Sequence, residues 1–139
     1  MEQRFTGGCL CGAVRYESTS ARIAAHYCHC SDCQKTYGGP FGAGFVVVES
    51  ETKLSGEVSR YTKASDSGHR KTHLLCPNCG SPIGEQVEEF AGVIVLAVGS
   101  LDDPSVFAPE AHYWVSSRLP WVNIADDLPQ LEGQPEYDP

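Results

Sequence analysis

Seven cysteines stand in three tight clusters, Cys9-Leu-Cys11, Cys28-His-Cys30-Ser-Asp-Cys33 and Cys76-Pro-Asn-Cys79, with none elsewhere in the 139 residues. Seven is one short of two complete four-thiolate zinc sites. Four ligands for one ion and three for another read as a closed structural site beside a site with one open position. Chemistry belongs at the open position.

Cys76-Pro-Asn-Cys79-Gly80 has the form of a zinc knuckle. Two sulfurs separated by two residues can chelate one ion, and the glycine lets the chain turn sharply behind them. Backbone N–H groups in such a turn point at the thiolates and offset their charge. A knuckle supplies two ligands and needs a second pair. Cys9-Leu-Cys11, flanked by Gly7, Gly8 and Gly12, is the natural partner, and the pairing would tie the first strand to the second half of the chain. The plainer alternative is that these are buried apolar thiols.

Cys28, Cys30 and Cys33 can bind one face of a second ion and leave the opposite face open. Three thiolates lower the ion's Lewis acidity, which suits holding a substrate thiol as a nucleophilic thiolate better than hydrolysing amides. The alternative is a structural site completed by His26, His29 or another side chain. A thiol–disulfide redox pair at Cys76 and Cys79 would need a helix after the motif, and Gly80, Pro82 and Gly84 forbid one. A zinc deaminase needs Glu two residues after a His or Cys ligand, and the chain has no such pair.

Close in sequence to the triplet are His29, Asp32, Tyr37 and the turn Gly38-Gly-Pro-Phe-Gly-Ala-Gly44. Asp32 reads as a helix cap before it reads as a catalytic acid. His29 reads as a packed or carbonyl-bonded side chain. Trp114 and Trp121 read as core, and Arg118 as a loop anchor, although Arg118 could also grip a carboxylate.

The elements that must carry these residues are mostly strands. Ala13-Val-Arg-Tyr-Glu17 alternates apolar and polar residues. Phe41–Val48 and Val93–Val98 are β-branched runs bounded by glycine or proline, and His112–Val115, Val58–Thr62 and Thr72–Leu75 add shorter segments. Seven or eight strands are expected. Ser31 to Tyr37 is the one short helical turn, and the prolines from Pro104 onward make long helices improbable in the last third. The expectation is a mainly β, antiparallel, metal-stabilised domain spanning residues 1–133, followed by a surface tail over 134–139.

The formal net charge is −8, with ten Lys plus Arg against eighteen Asp plus Glu, which disfavours nucleic acid as a partner. A local basic patch at His69-Arg-Lys71 is the one exception to look for. The start of the chain has no apolar run of signal-peptide type, and Gly92–Gly99 is too short to span a bilayer, so no membrane partner is expected. A cytoplasmic, reducing compartment follows, where clustered cysteines mean metal more often than disulfides.

Gly8-Cys-Leu-Cys-Gly-Ala-Val-Arg-Tyr16, Cys28-His-Cys-Ser-Asp-Cys-Gln-Lys35, Cys76-Pro-Asn-Cys-Gly80 and His112-Tyr-Trp-Val-Ser-Ser-Arg-Leu-Pro-Trp121 together resemble the glutathione-dependent formaldehyde-activating enzyme family, which includes centromere protein V. The resemblance runs from about Thr6 to Gly133 and keeps the family's motif order. It implies a β-tent fold and two zinc ions. The structural ion would be held by Cys9, Cys11, Cys76 and Cys79, and the catalytic ion by Cys28, Cys30 and Cys33. It also implies a carbon–sulfur lyase activity, the condensation of glutathione with formaldehyde to S-(hydroxymethyl)glutathione. A glutathione carrier without catalysis and a zinc-stabilised interaction module are the competing readings.

Overall fold

The computed structural model describes residues 4–65 and 68–134, so most of the expected tail lies outside the described residues. In chain order the strands are β1 (Phe5–Gly8), β2 (Arg15–Ser18), β3 (Ala24–Cys28), β4 (Gly42–Val48), β5 (Thr52–Ser55), β6 (Ser59–Ala64), β7 (Arg70–Leu75), β8 (Pro82–Val87), β9 (Val93–Ala97) and β10 (Ala111–Tyr113). One helix, α1 (Ser31–Tyr37), follows β3 over the residues read as helical. The fold is mainly β, with ten strands among the described residues rather than seven or eight. β1, β3, β5 and β8 escaped the sequence reading. β3 is Ala-Ala-His-Tyr-Cys and β8 starts on Pro82 and contains Gly84, so neither has a β-branched run. Proline is tolerated as the first residue of a strand because it forfeits no ladder bond there.

β1, β2 and β5 form a small antiparallel sheet, and the other seven strands form a sheet in the order β10-β3-β4-β9-β8-β7-β6. Every neighbouring pair is antiparallel except β10 and β3, which run parallel with Tyr113 beside Cys28. Tyr16 on β2 shares a 2.7 Å hydrogen bond with Ser100, and the Arg15 guanidinium makes a bidentate pair with Asp102. Both contacts lash the small sheet to the segment after β9. Among the described residues no helix is long and apolar enough to cross a membrane.

Strand alternation gives the large sheet two different faces. One carries Ala25, Phe45, Val47, Leu74, Ile94 and Leu96 into the main core with Val14 and Tyr16. Each fully buried Leu or Ile there contributes about 1.5–3 kcal/mol. The other face carries His26 and Cys28 from β3, Val46 from β4, Val93 and Val95 from β9, Glu85 and Val87 from β8, and Lys71 from β7. Ile83 has the parity of Glu85 yet sits in the main core. Pairing passes from Leu74↔Gly84 to Leu75↔Pro82, so Ile83 is the extra residue of a β-bulge that turns it across the sheet.

Candidate functional site

Two groups of sulfurs come together. The Sγ atoms of Cys9, Cys11, Cys76 and Cys79 lie within 4.8 Å of one another, and so do those of Cys28, Cys30 and Cys33. Cys9 Sγ is 3.6 Å from Cys11 Sγ, which is 3.8 Å from Cys76 Sγ. A tetrahedron with Zn–S bonds of about 2.3 Å has an S···S edge of about 3.8 Å, so the spacing suits a zinc ion and is far too long for disulfides. Local geometry supplies donors to these sulfurs. The Val14 N–H donates to Cys9 Sγ at 3.2 Å, and the Asn78 and Cys79 N–H groups donate to Cys76 Sγ at 3.4 and 3.5 Å. The Asn78 side-chain amide donates to Cys11 Sγ at 3.3 Å. Gly80, at φ 77°, closes the knuckle in the left-handed region where glycine is unstrained. The Ser81 hydroxyl and nearby N–H groups bring the Cys79 thiol down to about 5.

The triplet is built at the join between β3 and α1. Cys30 is the helix N-cap and its sulfur accepts from the Cys33 N–H at 3.3 Å, a place usually taken by an oxygen side chain. Asp32 therefore does not cap α1. It lies in the first turn and pairs with Lys63 at 2.7 Å. Hydrogen bonds from the Cys28 and Cys33 thiols pull the Cys30 thiol far down, helped by the charge of Lys71, while both donors are pushed up. The three sulfurs thus behave as one acid ready to give up its first proton.

Neither His26 nor His29 is grouped with the three sulfurs. His29 is bonded to a side chain rather than to a carbonyl. Its Nε2 is 2.9 Å from His112 Nδ1, and His112 Nε2 is 2.9 Å from Asp126 Oδ2. The carboxylate can only accept, so His112 carries its proton on Nε2 and His29 donates into the chain. His26 stacks on Tyr113 with centroids 4.6 Å apart, and burial, then Lys71, brings its imidazole down to about 4.

Lys71, considered in the sequence only as part of a basic patch, and Glu85, which no motif singles out, wall the triplet. The Lys71 side chain is 8% exposed, with its ammonium 3.2 Å from Glu85 and donating to Cys33 Sγ at 3.7 Å. Burial alone would lower its pKa, but Glu85 and the three thiols outweigh that and hold the charge on. The one local basic patch left open by the sequence, His69-Arg-Lys71, does not form as such: Lys71 is buried against Glu85, and His69 sits 3.4 Å from Glu89. Alternation along β7, with Lys71 and His73 on one face, is the signal that could have found these residues.

A cavity of about 470 Å³ opens beside Cys28 and Cys30. His26, Asp32, Lys71, Glu85, Tyr113 and Trp114 line it beside the sulfurs, and valines of three strands with Ile23 and Phe90 make up most of the remaining wall, which also includes Ser65, Glu89 and Gln134. Trp114 packs against the three cysteines, adopts φ 57°, and donates from its indole to Gln134 at 2.9 Å. Trp121, read as core, is 69% exposed, and Arg118 is exposed as well.

A family model described as glutathione-dependent formaldehyde-activating enzyme matches residues 4–117. Among solved structures, a crystal structure of a Rhodobacter sphaeroides protein is similar, with a TM-score of 0.57 and 20% identity, covering 90% of this chain and 98% of that one. That likeness concerns the fold alone.

Proposed function

The chain belongs to the glutathione-dependent formaldehyde-activating enzyme family, and from that membership we propose that it is a zinc-dependent carbon–sulfur lyase condensing a thiol, glutathione by family precedent, with an aldehyde such as formaldehyde. The observation that carries the reading is a buried set of three sulfurs, Cys28, Cys30 and Cys33, of which Cys28 and Cys30 stand at the wall of a ligand-sized cavity. Cys9, Cys11, Cys76 and Cys79 would hold a second, structural zinc that joins the two halves of a single domain over residues 1–133. The two sheets correspond in this reading to the family's β-tent. A reducing compartment such as the cytoplasm would keep all seven thiols available.

A zinc ion on the triplet would supply a fourth position on which a substrate sulfur is held deprotonated at neutral pH. The chain's own residues do the rest. Lys71 offsets the negative charge collected by the sulfurs, and Glu85 fixes the ammonium in place. When sulfur adds to the aldehyde carbon, one C–S bond forms and the carbonyl π pair becomes an alkoxide that takes a proton. The Lys71 ammonium lines the cavity beside the sulfurs and would stabilise that charge. The valines beyond it would give the reacting carbon a less polar surrounding.

The test follows formaldehyde and glutathione by proton NMR with trace zinc-loaded protein. The expected result is an increased rate of S-(hydroxymethyl)glutathione formation, lost in Cys30→Ser. A change only in the bound fraction, proportional to protein, would instead mark a carrier. Cobalt substitution adds a direct check, since glutathione should alter the thiolate-to-cobalt absorption bands, and unaltered bands would exclude thiol binding at the metal.

A further inference from the structure

The cavity is much larger than formaldehyde requires, and most of its wall is apolar. Ile23, Val46, Val87, Phe90, Val93 and Val95 line it together. The four valines come from neighbouring strands of one sheet face, and Ile23 before β3 and Phe90 after β8 extend the wall at its ends. Val46 pairs with Val95, Val95 with Glu85, and Val87 with Lys71, so the apolar wall continues directly from the polar end at the cysteines. A volume of about 470 Å³ falls in the range of roughly 300–1,000 Å³ that holds drug-sized ligands, whereas formaldehyde is one carbon and one oxygen.

Glutathione does not suit the apolar part. Its two carboxylates and ammonium would be stripped of water against valine and phenylalanine. Among the described residues lining the cavity, Lys71 is the only lysine or arginine, and Glu85 already neutralises it. Asp32, Glu85 and Glu89 also line the cavity, the first two already paired with Lys63 and Lys71, so the wall offers a glutathione carboxylate no uncommitted cation. The charged ends of glutathione therefore belong toward solvent. The enclosed wall is left for whatever is attached to the other reactant.

Resting on the thiol–aldehyde reading above, we propose that the preferred electrophile is an aldehyde bearing an uncharged apolar chain of several carbons, seated on Ile23, Val46, Val93 and Val95 with its carbonyl toward Cys28 and Lys71. The balance of the reaction is unchanged: thiol and aldehyde give a hydroxyalkyl thioether, with no oxidant or reductant. Burial of each methylene strengthens binding by roughly threefold to fourfold.

Two arms test this. In the first, unreactive 1-hexanol and methanol are titrated into the zinc-loaded chain, with Trp114 fluorescence read in a Trp121→Phe background. Hexanol should saturate the signal with an affinity at least a hundredfold above methanol's. Ile23→Asp, half exposed and so compatible with folding, should weaken hexanol at least tenfold while circular dichroism and zinc content stay unchanged. Absence of hexanol binding, equal binding in Ile23→Asp, or closure of the wall by a second copy in sedimentation would overturn the assignment. In the second arm, glutathione consumption is followed with hexanal and with formaldehyde. Hexanal should be favoured at least tenfold in kcat/KM, and a preference for formaldehyde, or for hexanethiol over glutathione as the thiol, overturns it. Hexanol binding without turnover of either aldehyde would remove the enzymatic reading and leave the apolar site standing. Formaldehyde turnover without hexanol binding would do the reverse.

Discussion

The Lys71 ammonium stands 3.2 Å from the Glu85 carboxylate, diagonally across the β7–β8 ladder, and both side chains are less than a tenth exposed. The pair sits against Cys33 and closes one side of the candidate reaction site. Two charges at that depth are tolerated chiefly because each compensates the other, with the thiols beside Lys71 and His73 beside Glu85. Lys71→Met should cost about 3–5 kcal/mol by leaving the buried Glu85 carboxylate with His73, 3.7 Å away, in place of a full cationic partner. Lys71→Met combined with Glu85→Leu should recover most of that loss. Urea denaturation of the zinc-loaded forms measures both, and additive losses in the double variant would contradict the pairing.

The two sulfur groups should respond differently to single substitutions. Cys79→Ser breaks the clamp between residues distant in sequence and should produce general unfolding, because a structural zinc contributes on the order of 10 kcal/mol. Cys30→Ser should lose one of two zinc equivalents and keep the native circular dichroism spectrum. Metal analysis and spectra of both variants decide it. Equal, local effects would refute the division into a structural and an open site.

Gly42 faces the aromatic ring of Tyr37. A Cβ there would lie 2.6 Å from the ring and 3.3 Å from Cys33 Cβ. Gly42→Ala must push α1 off the sheet, at a cost of about 1–3 kcal/mol, and should loosen metal at the triplet. Adding Tyr37→Ala makes room and should rescue metal retention, measured by competition with a chromogenic chelator. No rescue would show that the ring is not the obstacle.

Tyr16 sets an alkaline limit. Burial raises its phenol to about 12, partly opposed by the bond to Ser100. In the unfolded chain the same group titrates near 10. Between about pH 10 and 12 the unfolded state has released the proton and the folded state still holds it. The ionisation of Tyr16 therefore leaves stability unchanged below about pH 10, and stability falls as pH rises through that window. Tyr16→Phe should cost about 1 kcal/mol at neutral pH and flatten the alkaline decline in urea midpoints. Parallel declines in both proteins would place the limit elsewhere.

The cysteine clusters were legible because ligand spacing is local: two or three sulfurs within six residues can meet one ion whatever the rest of the chain does. The helix at Ser31–Tyr37 and the β-branched strands were legible for the same reason. The aromatic C-terminal segment was recognisable as a motif, yet its parallel seat beside β3 and the exposure of Trp121 were not. Lys71, Glu85 and His26 carry no motif at all. They become neighbours of the sulfurs only through pairing across β3, β4, β9, β8 and β7, in a register that one residue of slip would invert. A bulge at Ile83 shows how finely that register is held, since it moves one side chain of β8 to the core and leaves the next on the cavity wall. Metal-binding capacity was thus written in the chain itself, by short-range spacing. The shape and polarity of the space beside it came from long-range strand order, which no local pattern encodes.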